Sequence, residues 1–271
     1  MLRLRRDAHA TTLYLLGANM FVSNPFALLS RVLPPAVMQA YVVVMLLAVA
    51  IGTLGDLYHK QSATYFALRR IKSKAAAQRQ LGAWETVLLA IKTIGIEVAT
   101  AGEFSKWPRR LSHIMVFYGF LVYVITTIAM VFIYPTSAHT PDVLAVLWNV
   151  GVLLVLAGGC WFFFVLKVNV AHEGHSPLHL MRADLFIGSL LASMAFALVW
   201  EFAQVIAGSS PGTMILLGLY VFFTTLLFFS VPWSKFAHMF YKPVAAFQKR
   251  VEEANGSSDL PRPAQGSNIK G

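Results

Sequence analysis

The 271-residue chain has a single cysteine, Cys160, and it stands in the middle of an apolar run. It can form no internal disulfide and cannot supply the four thiolates that an iron–sulfur cluster ordinarily takes. Charge is scarce as well: 13% of residues are charged against 57% hydrophobic, with a mean hydropathy of +0.64. A soluble core could not hide that much apolar surface, so the composition predicts an all-α, polytopic transmembrane bundle. Acidic residues number 12 against 22 Lys and Arg, a net charge of +10. Lys and Arg are costly at bilayer depth, so this excess must lie in the loops, where its sign reports the side of each loop. The basic residues flank apolar runs and form no separate module, which favours anionic lipid or an acidic protein over nucleic acid as partner. The chain also lacks a nucleotide fingerprint, a cluster motif, a nucleophile constellation and an internal repeat, so no complete active site is expected in it.

Five segments predict transmembrane helices, at about 36–56, 111–133, 143–167, 184–207 and 212–233, each near the roughly 20 apolar residues that cross the hydrocarbon. Segment 11–33 predicts a sixth, although Asn19, Asn24 and Pro25 are unfavourable in lipid and an interfacial or re-entrant helix fits its hydropathy equally well. The start, Met1-Leu2-Arg3-Leu4-Arg5-Arg6, resembles the basic head of a signal peptide. The same asparagines and proline interrupt the apolar run behind that head, and no small-residue cleavage site is evident, so the segment is expected to stay in the mature protein.

Loop 57–110 carries Lys60, Arg69, Arg70, Lys72, Lys74, Arg79, Lys92, Lys106, Arg109 and Arg110, whereas 134–142 offers only Asp142 and 208–211 no charge at all. The positive-inside rule puts loop 57–110 in the cytoplasm. Loop 168–183, with Arg182, and the tail after 234, with Lys235, Lys242, Lys249 and Arg250, then fall on the same side. The arginines of the first six residues join them if 11–33 spans and Pro34-Pro35 turns the chain. Within the basic loop, 62–80 and 83–101 mix apolar and charged residues as two surface-lying helices would, serving lipid anchoring or the docking of a partner. From Asn255 the tail is rich in Gly, Ser and Pro, and is expected to be disordered.

Two histidines close apolar segments at the predicted cytoplasmic side: His113, which opens 111–133, and His238, just past the end of 212–233. A haem buried in a bundle takes axial ligands on opposite faces of the ring, and imidazole is the usual ligand where the iron only carries electrons. Ligands from different helices at one depth are what this pair offers. Either histidine alone would read as an interfacial polar residue.

The stretch Arg110 to Tyr123, the run Met181-Arg182-Ala183-Asp184-Leu185-Phe186-Ile187-Gly188-Ser189-Leu190, and Pro232 to Pro243 with Ser234-Lys235-Phe236-Ala237-His238 together resemble the cytochrome b (gamma) subunit of respiratory nitrate reductase. Similar domains occur in membrane subunits of heterodisulfide reductases and of sulfur-cycle electron-transfer complexes. The resemblance covers about 36–245. It implies a cytochrome b-type domain there, with 1–35 as an N-terminal extension and 246–271 as a disordered cytoplasmic tail, in a prokaryotic cytoplasmic membrane. Members of that family typically bind two haems through four histidines, and the matching positions here hold His113, Tyr123, Tyr220 and His238. The departure is paired: both ligands of the haem far from the cytoplasm are tyrosine, and both ligands of the near haem remain. The resemblance therefore implies one b-type haem on His113 and His238, with Tyr123 and Tyr220 filling the vacated space by aromatic packing.

Other polar residues admit plainer readings. His172, His175 and His179 could serve a proton relay or a quinone head group, or simply decorate a loop; Gly174 and Pro177 break any helix that would align them on a metal. Asp56 and His59 end one span and Asp184 opens another beside Arg182, as caps or anchors would. Glu201, near the outer end of a span, could pair, conduct protons or reach water. His9 and His139 have no evident partner.

The resemblance implies a membrane subunit that exchanges electrons between quinone and a soluble cytoplasmic flavin or iron–sulfur oxidoreductase, such as an adenylylsulfate reductase. Without the outer haem, electrons would not cross the full membrane through it. The competing reading is a haem-free membrane anchor for such an enzyme. A transporter would show broken helices or polar residues at mid-membrane, and the later spans are nearly free of ionisable groups at their centres.

Overall fold

A computed structural model describes residues 21–59, 62–93, 95, 107–136, 140–166, 185–230 and 238–258. The helices, in chain order, are α1 (Pro25–Leu29), α2 (Pro35–His59), α3 (Ser62–Ala75), α4 (Ala83–Thr93), α5 (Trp107–Ile128), α6 (Asp142–Cys160), α7 (Leu185–Ala207), α8 (Pro211–Ser230) and α9 (His238–Asn255). Helix α5 continues as a π turn over Ala129–Ile133 and α6 as another over Trp161–Leu166. No strand occurs among the described residues. The chain forms two compact units, one of Met1–Thr53 and Phe104–Phe236, the other of Leu54–Glu103 and Ala237–Gly271.

Among the described residues five helices are long and apolar enough to cross a membrane: Pro35–Gly55, Trp107–Ile133, Asp142–Leu166, Leu185–Ala207 and Pro211–Ser230. At 1.5 Å per residue even the 20-residue Pro211–Ser230 covers about 30 Å, the thickness of the hydrocarbon layer. The protein is an integral membrane protein of all-α class, with the five spans at the places hydropathy predicts. Large apolar side chains such as Ile125, Leu153, Val199 and Phe222 stand on the outer faces, where lipid and not water is the solvent.

Small residues set the packing. A Cβ on Gly119 would lie 2.8 Å from the Gly151 carbonyl, one on Gly151 would lie 2.8 Å from the Gly119 carbonyl, and one on Gly158 would lie 2.9 Å from the Ser112 carbonyl. The backbones of α5 and α6 approach this closely only because those positions carry no side chain, as is common between helices in lipid. Ser112 Oγ donates to the Gly158 carbonyl at 2.8 Å across the same seam. Helices α7 and α8 are tied by the Ser193–Thr224 hydroxyl pair at 2.7 Å. Helix α2 is held through Gln39, which donates to the Val131 carbonyl, and Tyr41, which donates to the Val221 carbonyl, each at 3.1 Å.

Over its described part, 21–33, the segment predicted at 11–33 is not one continuous helix. Residues 1–20 lie outside the described part, and 21–33 make a turn, the five-residue α1 and a second turn. The polar residues responsible are those that hydropathy disfavours: Asn24 Oδ1 caps α1 by accepting from the Phe26 and Ala27 amides, while its Nδ2 donates to the Tyr134 carbonyl and Thr140 Oγ1. Pro25 takes the first helical position, where a missing N–H costs nothing. The short helix seats Phe26 between Trp148 and Trp200, at ring separations of 6.1 and 5.7 Å.

In the second unit the helix expected over 62–80 is present as α3, which ends at Ala75, and the one expected over 83–101 is present as α4 over Ala83–Thr93, while 94 and 96–101 lie outside the described residues. Arg69 clasps Glu252 of α9 with two bonds of 2.7 and 2.8 Å. Asn255 Nδ2 donates to Ser73 Oγ, and its carbonyl accepts from the Gln78 and Arg79 amides. Arg79 pairs with Glu85. The tail expected to be disordered from 246 is therefore helical as far as Asn255, because Gln248, Glu252 and Asn255 recur on one helical face and bury there. Gly256, with φ +77°, ends the helix in the left-handed conformation that glycine adopts freely.

Candidate functional site

His113 sits in the second turn of α5, half-buried. Its ring lies nearly parallel to that of Phe117, at 17° and 6.5 Å. Phe117 and Phe120, four and seven residues on, continue the same stripe, and Phe120 meets Phe228 of α8 at 6.4 Å. The rotation of this stripe is fixed from behind: Ser112 is wholly buried against Gly158, so the residue after it is turned about 100° away from α6. A half-buried imidazole on an apolar, aromatic helix face is suitable donor chemistry for a haem iron.

Tyr123 and Tyr220 meet farther along the bundle. Their hydroxyl oxygens are 2.5 Å apart, and each residue is 3% exposed. Trp200 stacks on Tyr220 at 5.6 Å and 13°, Trp148 lies 5.8 Å from Tyr123, and Trp148 Nε1 donates to Thr127 Oγ1 at 3.0 Å. Beside them, between α2, α5 and α8, the remaining crevice is about 40 Å³. Hydroxyls in direct contact leave no place for an iron between them, and no porphyrin fits the space that remains. The residues at this position do not suit a haem; they make a closed aromatic box.

Next to the box, Glu201 of α7 is 1% exposed, so the reading in which it reaches water does not hold. Its Oε1 accepts from Asn149 Nδ2 of α6 at 3.0 Å. Glu201 Oε2 and Asn149 Oδ1 have no hydrogen-bond partner among the described residues. Gln204, one turn on, accepts from Trp200 Nε1 at 3.0 Å and donates to the Pro25 carbonyl at 3.1 Å. Sequence reasoning does not single out Asn149, yet a signal is there: it lies seven residues into α6, and Glu201 six residues before the end of α7, so antiparallel neighbours bring them to one depth.

Of the other sequence candidates, His238 is the first residue of α9, in the second unit; its side chain, like those of Asp56 and His59, lies outside the described residues. His172, His175, His179, Asp184, His9 and His139 also lie outside them. Among the described residues no three His, Cys, Asp or Glu side chains gather as a metal site would require. No family model, no curated protein and no solved structure matches the chain.

Proposed function

We propose that this protein is the membrane electron-transfer subunit of a quinone-linked oxidoreductase, with one b-type haem held by His113 and His238 near the cytoplasmic face. The observation that carries the haem count is the closed Tyr123–Tyr220 pair: the second ligand position of the resembled family is filled by two side chains bonded to each other. The ligand assignment rests on the sequence, in which the other two positions of that pattern keep histidine. When bound, such a haem supplies a one-electron carrier.

The chain's own residues do the rest. Ser112 and Gly158 fix the rotation of α5 at His113, and Phe117 and Phe120 keep water from that face. Electrons would pass between membrane quinone and a soluble cytoplasmic flavin or iron–sulfur enzyme, of which adenylylsulfate reductase is an example. The basic residues of 57–110 and of the tail face the cytoplasm in this reading and meet that partner or anionic lipid. His172, His175 and His179 are the candidates for proton exchange with quinone.

The purified chain should show a reduced-minus-oxidised b-type spectrum and one haem per chain by pyridine hemochrome, and His113→Ala should lose it. Two haems per chain would reject the count, and unchanged haem content in His113→Ala the ligand. A chain without haem would leave the membrane-anchor reading.

A further inference from the structure

We propose that Glu201 and Asn149 form a proton-binding site inside the bundle, in which one proton on Glu201 Oε2 is shared with Asn149 Oδ1. This site is separate from the haem reading and stands whether or not a haem binds at His113.

Donors and acceptors do not balance in the unprotonated pair. A carboxylate only accepts, while a primary amide donates through nitrogen and accepts through oxygen. Asn149 Nδ2 serves Glu201 Oε1 at 3.0 Å and the Ala145 carbonyl at 3.1 Å, so both of its hydrogens are committed. That leaves two acceptors, Glu201 Oε2 and Asn149 Oδ1, buried with no donor among the described residues. Glu201 and Asn149 are 1% and 2% exposed. A proton on Oε2 is the one donor that the pair lacks. The acid then gives to the amide oxygen while the amide nitrogen gives to the acid carbonyl, and every polar atom of the pair is satisfied.

Charge leads to the same place. Helix α7 packs against α1, α6 and α8, and none of these four helices contains Lys, Arg or His. The titratable groups on the elements around Glu201 are Asp142, exposed at the start of α6, Cys160 at the far end of α6, and Tyr220, whose hydroxyl is taken by Tyr123. Arg31, beyond α1, is exposed, and Tyr134 is half-buried at the end of α5. A carboxylate in that setting would have no counter-charge among the described residues, and a buried unpaired charge neutralises itself by taking a proton. The proton can leave only when water or a cation reaches the carboxyl, so the pair holds one hydron until its surroundings change.

The test is infrared spectroscopy on the full-length chain in lipid nanodiscs at pH 7. A carboxylic acid carbonyl band above amide I is expected. It should move on ¹³C-glutamate labelling of the wild-type chain, which needs no variant, and be lost in Glu201→Gln. In Asn149→Leu the band should persist but rise in frequency, since the hydrogen bond to the carbonyl is gone. Glu201→Gln keeps the donor through its amide, so its thermal midpoint should match that of the wild type. A labelled chain with no acid carbonyl band, or a Glu201→Gln difference spectrum that loses only carboxylate stretches, would show an ionised and hydrated Glu201 and overturn the proposal.

Discussion

Single residues decide how the interior of the bundle closes. Tyr123 and Tyr220 are buried, and their hydroxyls share one hydrogen bond, one as donor and the other as acceptor. Replacing Tyr123 by Phe strands the hydroxyl of Tyr220, a loss of about 1–3 kcal/mol for an unsatisfied buried group. Replacing both removes donor and acceptor together. Thermal unfolding in detergent should therefore show Tyr123→Phe/Tyr220→Phe to be less destabilised than the sum of the two single variants. Additive losses would mean that the hydroxyls act independently. At this scale the sequence is partly legible. The resemblance marks Tyr123 and Tyr220 as a pair, and the aromatic packing expected of them is legible from their residue type. The partnership of Glu201 with Asn149 cannot, because nothing in a one-dimensional pattern says which of two rotations around α6 and α7 the bundle takes; glycines 151, 158 and 159 set that rotation through contacts with α5 and α7.

At the scale of elements, the spans are the most legible part, since length and apolarity are properties of a run of residues and need no partner. Helix α1 is not legible as such. Its turn depends on the Asn24 side chain finding Tyr134 and Thr140, more than a hundred residues away, and no local signal reports that. The end of α9 escapes sequence reasoning for a similar reason: its charged residues read as a solvated tail, but Glu252 is 7% exposed and bound to Arg69. The Arg69 guanidinium holds the Glu252 carboxyl below its ordinary value, with a smaller contribution from Gln248, and Glu252 in turn raises Arg69. A carboxyl whose folded value lies below its unfolded one, about 4.3, stabilises the fold above that pH and loses the contribution as pH falls through the folded value. Hydrogen exchange of the α9 amides should thus accelerate as pH drops below about 4, after correction for intrinsic rates. In Arg69→Met that acid sensitivity should be weaker, with faster exchange already at neutral pH. An Arg69→Met profile parallel to the wild type would mean that the ion pair does not hold α9.

For the whole molecule, the asymmetry of charge between loops predicts orientation. In a Cys160→Ala background, a cysteine placed at Ser209, in the uncharged turn between α7 and α8, should react with a membrane-impermeant maleimide added to intact cells. One placed at Lys92, in α4 of the basic loop, should react only after lysis. The reverse pattern would invert the topology and put the basic residues of α3 and α4 outside. What sequence patterning cannot give at this scale is the division into two units, because 54–103 and 237–271 come together from distant parts of the chain through Arg69, Ser73, Glu252 and Asn255.

The seat of Phe26 also constrains how the protein is made. The N-terminal residues leave the ribosome first, yet the two indoles that clasp Phe26 belong to α6 and α7, which are synthesised much later. Until α7 has entered the bilayer the seat of Phe26 is only half built, with Trp148 in place and Trp200 still to come. Closure of that end of the bundle over Phe26 is therefore a late event in biogenesis, performed by a segment made before the spans that receive it.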